Sequence, residues 1–342
     1  MHQPSSPPTS TALSRRHVLQ GAGALGAGLA APAVLANTDA FPKGPVRIIV
    51  TFAPGGATDT VGRLLADKLS KTMGITFIVE NKPGAAGMIG TEQVAKATPD
   101  GQTFGLVLSG VVYTNPYIYT KVPYVVERDL ALVYKVLNSS GIFTVHPSLP
   151  VNNFKELVAL VKANPDKYSF GSFGQGSTPH MLCEYLRKTQ NMRMNHVPYK
   201  GEAPMVQDLL ANQVQIGYGS VAVQKQHIEL GKLRAVGTVT PQRLEAMPDL
   251  PTLQEQGFPD EAFRMPSWFA IIAPKGVPKP LQDRLARELS KVMAMPDVKE
   301  SITKMGYAAV SDSSPDKLMA EYREWAPKWK NLAELSGAKI DQ

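Results

Sequence analysis

Residues Val46 to Asp59 constrain the fold of this chain more than any other stretch. Val46-Arg47-Ile48-Ile49-Val50 is a short apolar, β-branched run, the composition of a parallel strand covered on both faces. The loop Phe52-Ala53-Pro54-Gly55-Gly56-Ala57 follows at once. Beyond it Val61, Leu64, Leu65 and Leu69 recur at three- and four-residue steps, which predicts an amphipathic helix. A strand feeding a glycine loop that opens a helix aims backbone N–H groups at one point, beside the positive end of the helix dipole. Such a loop can seat a carboxylate or a phosphate. It reads equally well as a tight βα turn. Neither Gly-Lys-Ser/Thr nor Gly-x-Gly-x-x-Gly stands at this loop, so it is not a P-loop or a dinucleotide fingerprint.

The arrangement then repeats. Ile75 to Val79 reads as a strand, and Glu80-Asn81-Lys82-Pro83-Gly84-Ala85-Ala86-Gly87 as a loop opening a helix from Met88 to Ala97. After a Pro99-Asp100-Gly101 turn, a third strand from Thr103 to Leu108 ends at Ser109-Gly110. Strands alternating with helices at this spacing mean a parallel α/β sheet, and ligands of such sheets sit outside the strands' carboxyl ends. Leu132 to Val145 is strand-like and meets His146-Pro147, a first crossing to a second lobe.

A new series begins at Asn153, placed to cap a helix from Phe154 to Ala163, with Glu156 completing a capping box. Tyr168 to Phe173 is a strand, and Gly174-Gln175-Gly176-Ser177-Thr178-Pro179 again leads a small-residue loop into a helix. His196 to Gly201 is a short strand and turn, Val206 to Leu210 helical, Val214 to Gly219 a strand, and Leu233 to Val239 a strand at the return crossing. Ser267 to Ala273, an amphipathic helix from Pro280 to Met293, and a helix capped by Ser314-Pro315-Asp316 close the first lobe. Residues 41–143 with 240–342 are thus expected to form lobe I and 144–239 lobe II, with a cleft between them. That is the layout of a hinged binding protein.

Composition narrows the function. The 342 residues are 43% hydrophobic and 19% charged, as in a soluble globular protein. The net charge is +7; residues 1–36 contribute Arg15 and Arg16 and no acid, leaving 34 Lys and Arg against 29 Asp and Glu, or +5. That excess is spread, with no basic run interleaved with aromatics, so nucleic acid is not expected as a partner. The weak positive field favours approach of an anionic solute. Ser14-Arg15-Arg16-His17-Val18-Leu19-Gln20, the Gly/Ala/Leu segment Gly21 to Ala31, and Val34-Leu35-Ala36 together read as a twin-arginine export leader over residues 1–36, removed on export. No other apolar run is long enough to span a bilayer, so the protein is not expected to be membrane-embedded.

Catalysis is not expected. Cys183 is the one cysteine, which rules out a disulfide within the chain and a multi-thiolate metal site; its neighbours Met181, Leu182 and Leu186 mark it as core filler. Ser177, Thr178 and His180 cluster, but at a helix start, where a hydroxyl caps the helix, and no Gly-x-Ser-x-Gly elbow occurs. The histidines 146, 180, 196 and 227 are isolated in sequence, and Asp59 has no adjacent acid and suits its helix N-terminus. No catalytic residue, metal or cofactor is assigned. Tyr113, Tyr117, Tyr119 and Tyr124 read as packing residues.

Several stretches in the same order resemble the Bug-type (TctC-like) solute receptors of tripartite tricarboxylate transporters. They are Phe52 to Asp59, Val79 to Gly87, Pro99-Asp100-Gly101, Gly174 to Ser177 with His180, His196 to Gly201, Gly231 to Ala235, Ser267-Trp268-Phe269 and Ala273-Pro274. The resemblance implies a two-lobed α/β periplasmic-binding-protein (Venus flytrap, type II) fold with parallel-rich sheets and two interdomain crossings. It also implies a periplasmic, monomeric receptor that closes on a small carboxylic acid and delivers it to the membrane permease subunits. The same lobes would serve a ligand sensor for a membrane kinase, and a hydrolase is the remaining alternative.

By resemblance, Phe52, Ala53, Gly55, Gly56, Thr58 and Asp59 hold the carboxylate, partly through main-chain groups and ordered waters. Ser109 and Gly110 of the first lobe, and Ser172, Gly174, Ser177 and Thr178 of the second, supply further contacts, and Tyr199 and Gly219 line the cleft. Where the family pattern usually has Asp-Asn after the strand at 214–218, this chain has Gly219-Ser220, and Pro179 stands where Ser is frequent. The lost carboxylate implies more room and one acceptor fewer, hence a bulkier or less polar acid, such as an aromatic carboxylate, rather than an amino acid.

Overall fold

The computed structural model describes residues 44–341; the expected leader, residues 1–36, lies outside the described residues. The first strand, β1 (Val46–Val50), leads into α1 (Ala57–Met73), then β2 (Phe77–Asn81), α2 (Met88–Ala95) and β3 (Thr103–Leu108). β1 pairs in parallel with β2 on one side and β3 on the other. Three short helices, α3 (Gly110–Tyr113), α4 (Asn115–Ile118) and α5 (Val126–Asp129), precede the long strand β4 (Leu130–Ser139).

The chain then leaves this sheet for β5 (Ile142–Val145), α6 (Phe154–Ala163), β6 (Ser169–Ser172), α7 (Thr178–Gln190), β7 (Asn195–Pro198), α8 (Glu202–Leu210), β8 (Ile216–Gly219), α9 (Val221–Glu229) and β9 (Arg234–Thr238). It returns for β10 (Ser267–Pro274), α10 (Lys279–Ala294), α11 (Pro296–Lys304), β11 (Ala308–Ala309) and α12 (Pro315–Ser336). The strand orders are β11-β4-β10-β3-β1-β2 in one sheet and β7-β6-β8-β5-β9 in the other. In each sheet the parallel strands are joined to an antiparallel one, β10 in the first and β5 in the second. Ile142 and Phe143, assigned above to the first lobe, pair with strands of the second sheet. The first crossing is therefore the two residues Ser140 and Gly141.

Gly141 has no room for a side chain as the ring beside it stands. A Cβ on it would stand 2.0 Å from the Tyr218 ring, so a side chain there would force that ring to shift. Capping chemistry matches the sequence reading at two helices. Asn153 Oδ1 accepts from the Glu156 N–H at 2.8 Å, and Ser314 Oγ from the Lys317 N–H at 3.2 Å. Tyr113 is fully buried, stacked on Trp329 at 5.7 Å and Tyr322 at 5.8 Å and edge-on to Trp268 at 5.3 Å. This column ties α12 to the first sheet. Cys183 is buried in the same core, and burial pushes its thiol well above the usual range. No helix of the described residues is long and apolar enough to cross a membrane.

Candidate functional site: a cavity between the two sheets

A cavity opens where helices start at the carboxyl ends of strands in both sheets. It holds about 730 Å³ of space outside protein atoms, its open mouth included. From the first sheet come Phe52, Gly56, Ala57 and Thr58 at the start of α1, Ala86, Leu108, and Gly110, Val111 and Asn115 of α3 and α4. Ser139, Ser140, Ser267, Phe269 and Tyr307 complete that side, and the second sheet contributes Phe173, Ser177, Thr178, Glu202, Tyr218, Gly219 and Ser220. Among the described residues the wall contains no lysine, arginine or histidine.

The loop before α1 is shaped by Asp59. Gly55 takes φ +81°, the left-handed region that glycine enters without cost, and its N–H donates to Asp59 Oδ2 at 3.0 Å. Asn81 Nδ2 donates both to Asp59 Oδ1 at 3.0 Å and to the Phe52 carbonyl at 3.1 Å, and Arg63 Nε donates to Oδ2 at 3.0 Å. Burial alone would raise the Asp59 pKa, but the bonds from Arg63, Gly55 and Asn81 outweigh it and hold the carboxylate below its ordinary value. Asp59 is spent on the loop; its part in the site is to aim the α1 N–H groups.

The loop before α7 is built from its own backbone. Ser177 stands at the N-cap, yet its hydroxyl donates back to the Gly174 carbonyl at 2.7 Å rather than capping the helix. The Gly176 N–H donates to His180 Nδ1 at 3.0 Å. His180 stacks on His196 at 4.1 Å, and His196 Nε2 lies 2.6 Å from Ser172 Oγ. Burial lowers His180 to about 4, and burial with the His180 neighbour lowers His196 to about 3, so both rings are neutral at ordinary pH. Ser177 Oγ is engaged with the Gly174 carbonyl and His180 Nδ1 with the Gly176 N–H, so these two side chains are not bonded to each other.

Opposite the α1 start stands Glu202, 8% exposed. Its Oε1 accepts from the Ser220 N–H at 2.5 Å and Gln224 Nε2 at 3.4 Å, and its Oε2 from Ser220 Oγ at 2.8 Å. Ala57, the first residue of α1, stands in the same cavity wall across the cleft. Gln224 is oriented by the Thr144 hydroxyl, which donates to its Oε1 at 2.5 Å. Burial pushes the Glu202 pKa up to about 7 against the pull of these donors.

Gly219 has no extra room beside it. A Cβ there would meet Gln224 Nε2 at 1.9 Å and Glu202 Oε1 at 2.4 Å. The expectation that Gly219-Ser220 leaves space and removes a carboxylate is corrected: Glu202 fills the space and supplies the acid.

On the first-sheet side, Asn115 is fully buried and its Nδ2 donates to the Ala86 carbonyl at 3.2 Å, while its Oδ1 has no partner. Ala85 and Ala86 both sit at positive φ, 47° and 48°, a conformation that costs non-glycine residues of order 1 kcal/mol each. The Asn115 bond helps hold that turn against the cavity.

Of the residues assigned from sequence, Phe52, Gly56, Thr58, Gly110, Ser177, Thr178 and Gly219 reach the cavity wall. Ala53, Gly55, Asp59, Ser109, Ser172, Gly174 and Tyr199 stand behind it. Ala53 donates its N–H to the Lys200 carbonyl of the other lobe at 3.3 Å, Ser109 lies 3.2 Å from Ser267 Oγ, and the Tyr199 hydroxyl donates to Asp208 at 2.7 Å. Sequence reading missed Glu202, Asn115, Tyr307 and the serines 139, 140 and 267. Starting α8 at Val206 left Glu202 outside the helix; the signal was an acid directly after Gly201, where helices favour one.

The model of the tripartite tricarboxylate transporter family receptor matches residues 61–337. Protein BugT of Bordetella pertussis is 32% identical over 315 residues, covering 92% of this chain and 95% of BugT. The periplasmic binding protein BugD superposes with a TM-score of 0.83 at 34% identity, over 88% of this chain and 100% of BugD. Rpa4515 of R. palustris, solved with adipate, gives a TM-score of 0.82 at 28% identity, over 87% of this chain and 98% of that one. The two-lobed α/β fold is that of these neighbours, and the chain belongs to the tripartite tricarboxylate transporter receptor family.

Proposed function

We propose that this protein works in the periplasm as a receptor that closes its two lobes on a small carboxylated solute and presents it to a membrane permease of the tripartite type. The observation that carries the reading is the cavity itself: loops and helix starts of both sheets converge on it and bring N–H groups and hydroxyls to its wall. Family membership and the adipate bound to a neighbour point the same way. In this reading the solute's carboxylate meets the start of α1 at Gly56 to Thr58, and the lobes hinge at Ser140-Gly141 and beyond β9.

Binding is proposed without turnover, since Ser177 and His180 are engaged with loop backbone. The side walls are aromatic, with Phe52, Phe173, Tyr218, Phe269 and Tyr307 around the space. They suit a ring-bearing or aliphatic acid. An α-ammonium would find no free carboxylate, because the Glu202 oxygens are taken by Ser220 and Gln224.

A thermal-shift screen with benzoate, 4-hydroxybenzoate, adipate, aspartate and glutamate tests this. At a hundredfold excess over Kd, a bound acid stabilises by about 2.7 kcal/mol, or about 5 °C for a chain of this size. One or more of the first three acids is expected to give such a shift, and the two amino acids none. A flat melting temperature with every acid would remove the carboxylate reading.

A further inference from the structure

We infer that Glu202 is a specificity-determining residue of the cavity: its carboxyl stands in the same wall as the opening of α1, where a solute's own carboxylate would bind, so a monoanionic acid is admitted only with Glu202 carrying a proton. The inference rests on the carboxylate reading of this cavity. It starts from placement. Glu202 opens α8 in the second lobe, yet it lines the cavity together with Gly56, Ala57 and Thr58 at the α1 start of the first lobe. The missing side chain of Gly219, the two bonds from Ser220 and the Thr144–Gln224 relay together make a fitted seat for that carboxyl.

The charges around it are few. Among the described residues no Lys or Arg forms an ion pair with Glu202. Tyr218 of β8 and Tyr307 after α11 face it, and burial raises both phenols far from ionisation. On the first turn of α1, Asp59 is turned to Gly55, Arg63 and Asn81. An ionised Glu202 beside a bound carboxylate would leave two like charges in one wall, which disfavours the charged form of one of them.

Binding of an anion therefore draws a proton onto Glu202. With its pKa already up at about 7 in the ligand-free protein, the protonated, binding-competent fraction falls about tenfold between pH 6 and pH 8, and affinity falls with it. A second ionised carboxylate on the solute has no cation to meet in this wall, so monocarboxylates are preferred to dicarboxylates. Stability follows the same sign. The folded state holds a proton that the unfolded chain gives up near the ordinary glutamate pKa, so this group's contribution is full at low pH and is lost as pH rises through about 7.

The test is calorimetric titration of the protein and its Glu202→Gln variant with benzoate, 4-hydroxybenzoate and adipate at pH 6 and 8. The wild type is expected to bind a monocarboxylate about tenfold more weakly at pH 8, and Glu202→Gln with one affinity at both pH values. Ser220→Ala, which removes a donor to the charged form, should keep the pH dependence and move its midpoint upward. The ligand-free protein should show an infrared band of a protonated carboxyl at pH 6 that fades by pH 8 and is absent from Glu202→Gln. Acids that bind the wild type with a pH-independent Kd, or a missing band, overturn the inference alone. A titrating band with no acid bound to either protein overturns the carboxylate reading, and the inference with it.

Discussion

Replacing Gly219 by aspartate, the residue type the family pattern favours there, is expected to destabilise this protein. The new Cβ would overlap Gln224 Nε2 and Glu202 Oε1, with 1.9 and 2.4 Å between centres. The new carboxylate would join Glu202 in a buried space where no cation pairs with it. The ends of Gln224 and Glu202 must shift to admit the new side chain, which breaks their bond to each other, and the second buried acid adds to the loss, for a total of roughly 2–3 kcal/mol. Urea unfolding should show a lower midpoint. Adding Glu202→Ala to Gly219→Asp should restore much of the loss, because it clears the space and removes the first charge. A Gly219→Asp protein as stable as the wild type would mean that the Glu202 seat is described wrongly.

The second large effect is expected at Asp59. Asp59→Ala leaves the Gly55 N–H and one Asn81 donor without their acceptor and frees Arg63, which is itself largely solvated. Gly55 is exposed and Asn81 half-buried, so water replaces part of what these donors lose and the cost is about 1 kcal/mol. Because the same bonds set the Phe52–Ala57 loop, affinity for whichever acid shifts the melting temperature should fall by about tenfold or more. Asp59→Asn should lose less, since an amide oxygen can still accept from Gly55. Equal affinity in Asp59→Ala and the wild type would show that the loop holds its shape without this carboxylate.

These two residues mark what the sequence makes legible and what it hides. The βα periodicity, the strand-end loops and the caps at Asn153 and Ser314 are local signals, and the structure carries them. Asp59 was visible as part of the site, but its role was not: only the fold brings Asn81, from the next strand, against it. The short helices between β3 and β4 have no periodicity to betray them, and Asn115 arrives at the cavity through them. Glu202 is the instructive miss. Its meaning lies in a gap at Gly219, seventeen residues later in the chain, and in its place in one wall with the α1 start of the other lobe; neither follows from spacing. Ser177 shows the reverse case. It occupies the capping position that its spacing suggests, yet a glycine-rich loop offers the Gly174 carbonyl as a nearer partner.

The most direct test of the account is a crystal structure of the protein with a bound acid from the thermal-shift screen. The solute's carboxylate should lie within hydrogen-bonding distance of the N–H groups of Gly56, Ala57 or Thr58, with Phe173 and Glu202 of the second lobe closed over it. A carboxylate bound instead among Ser139, Ser140 and Ser267, away from the opening of α1, would contradict the account.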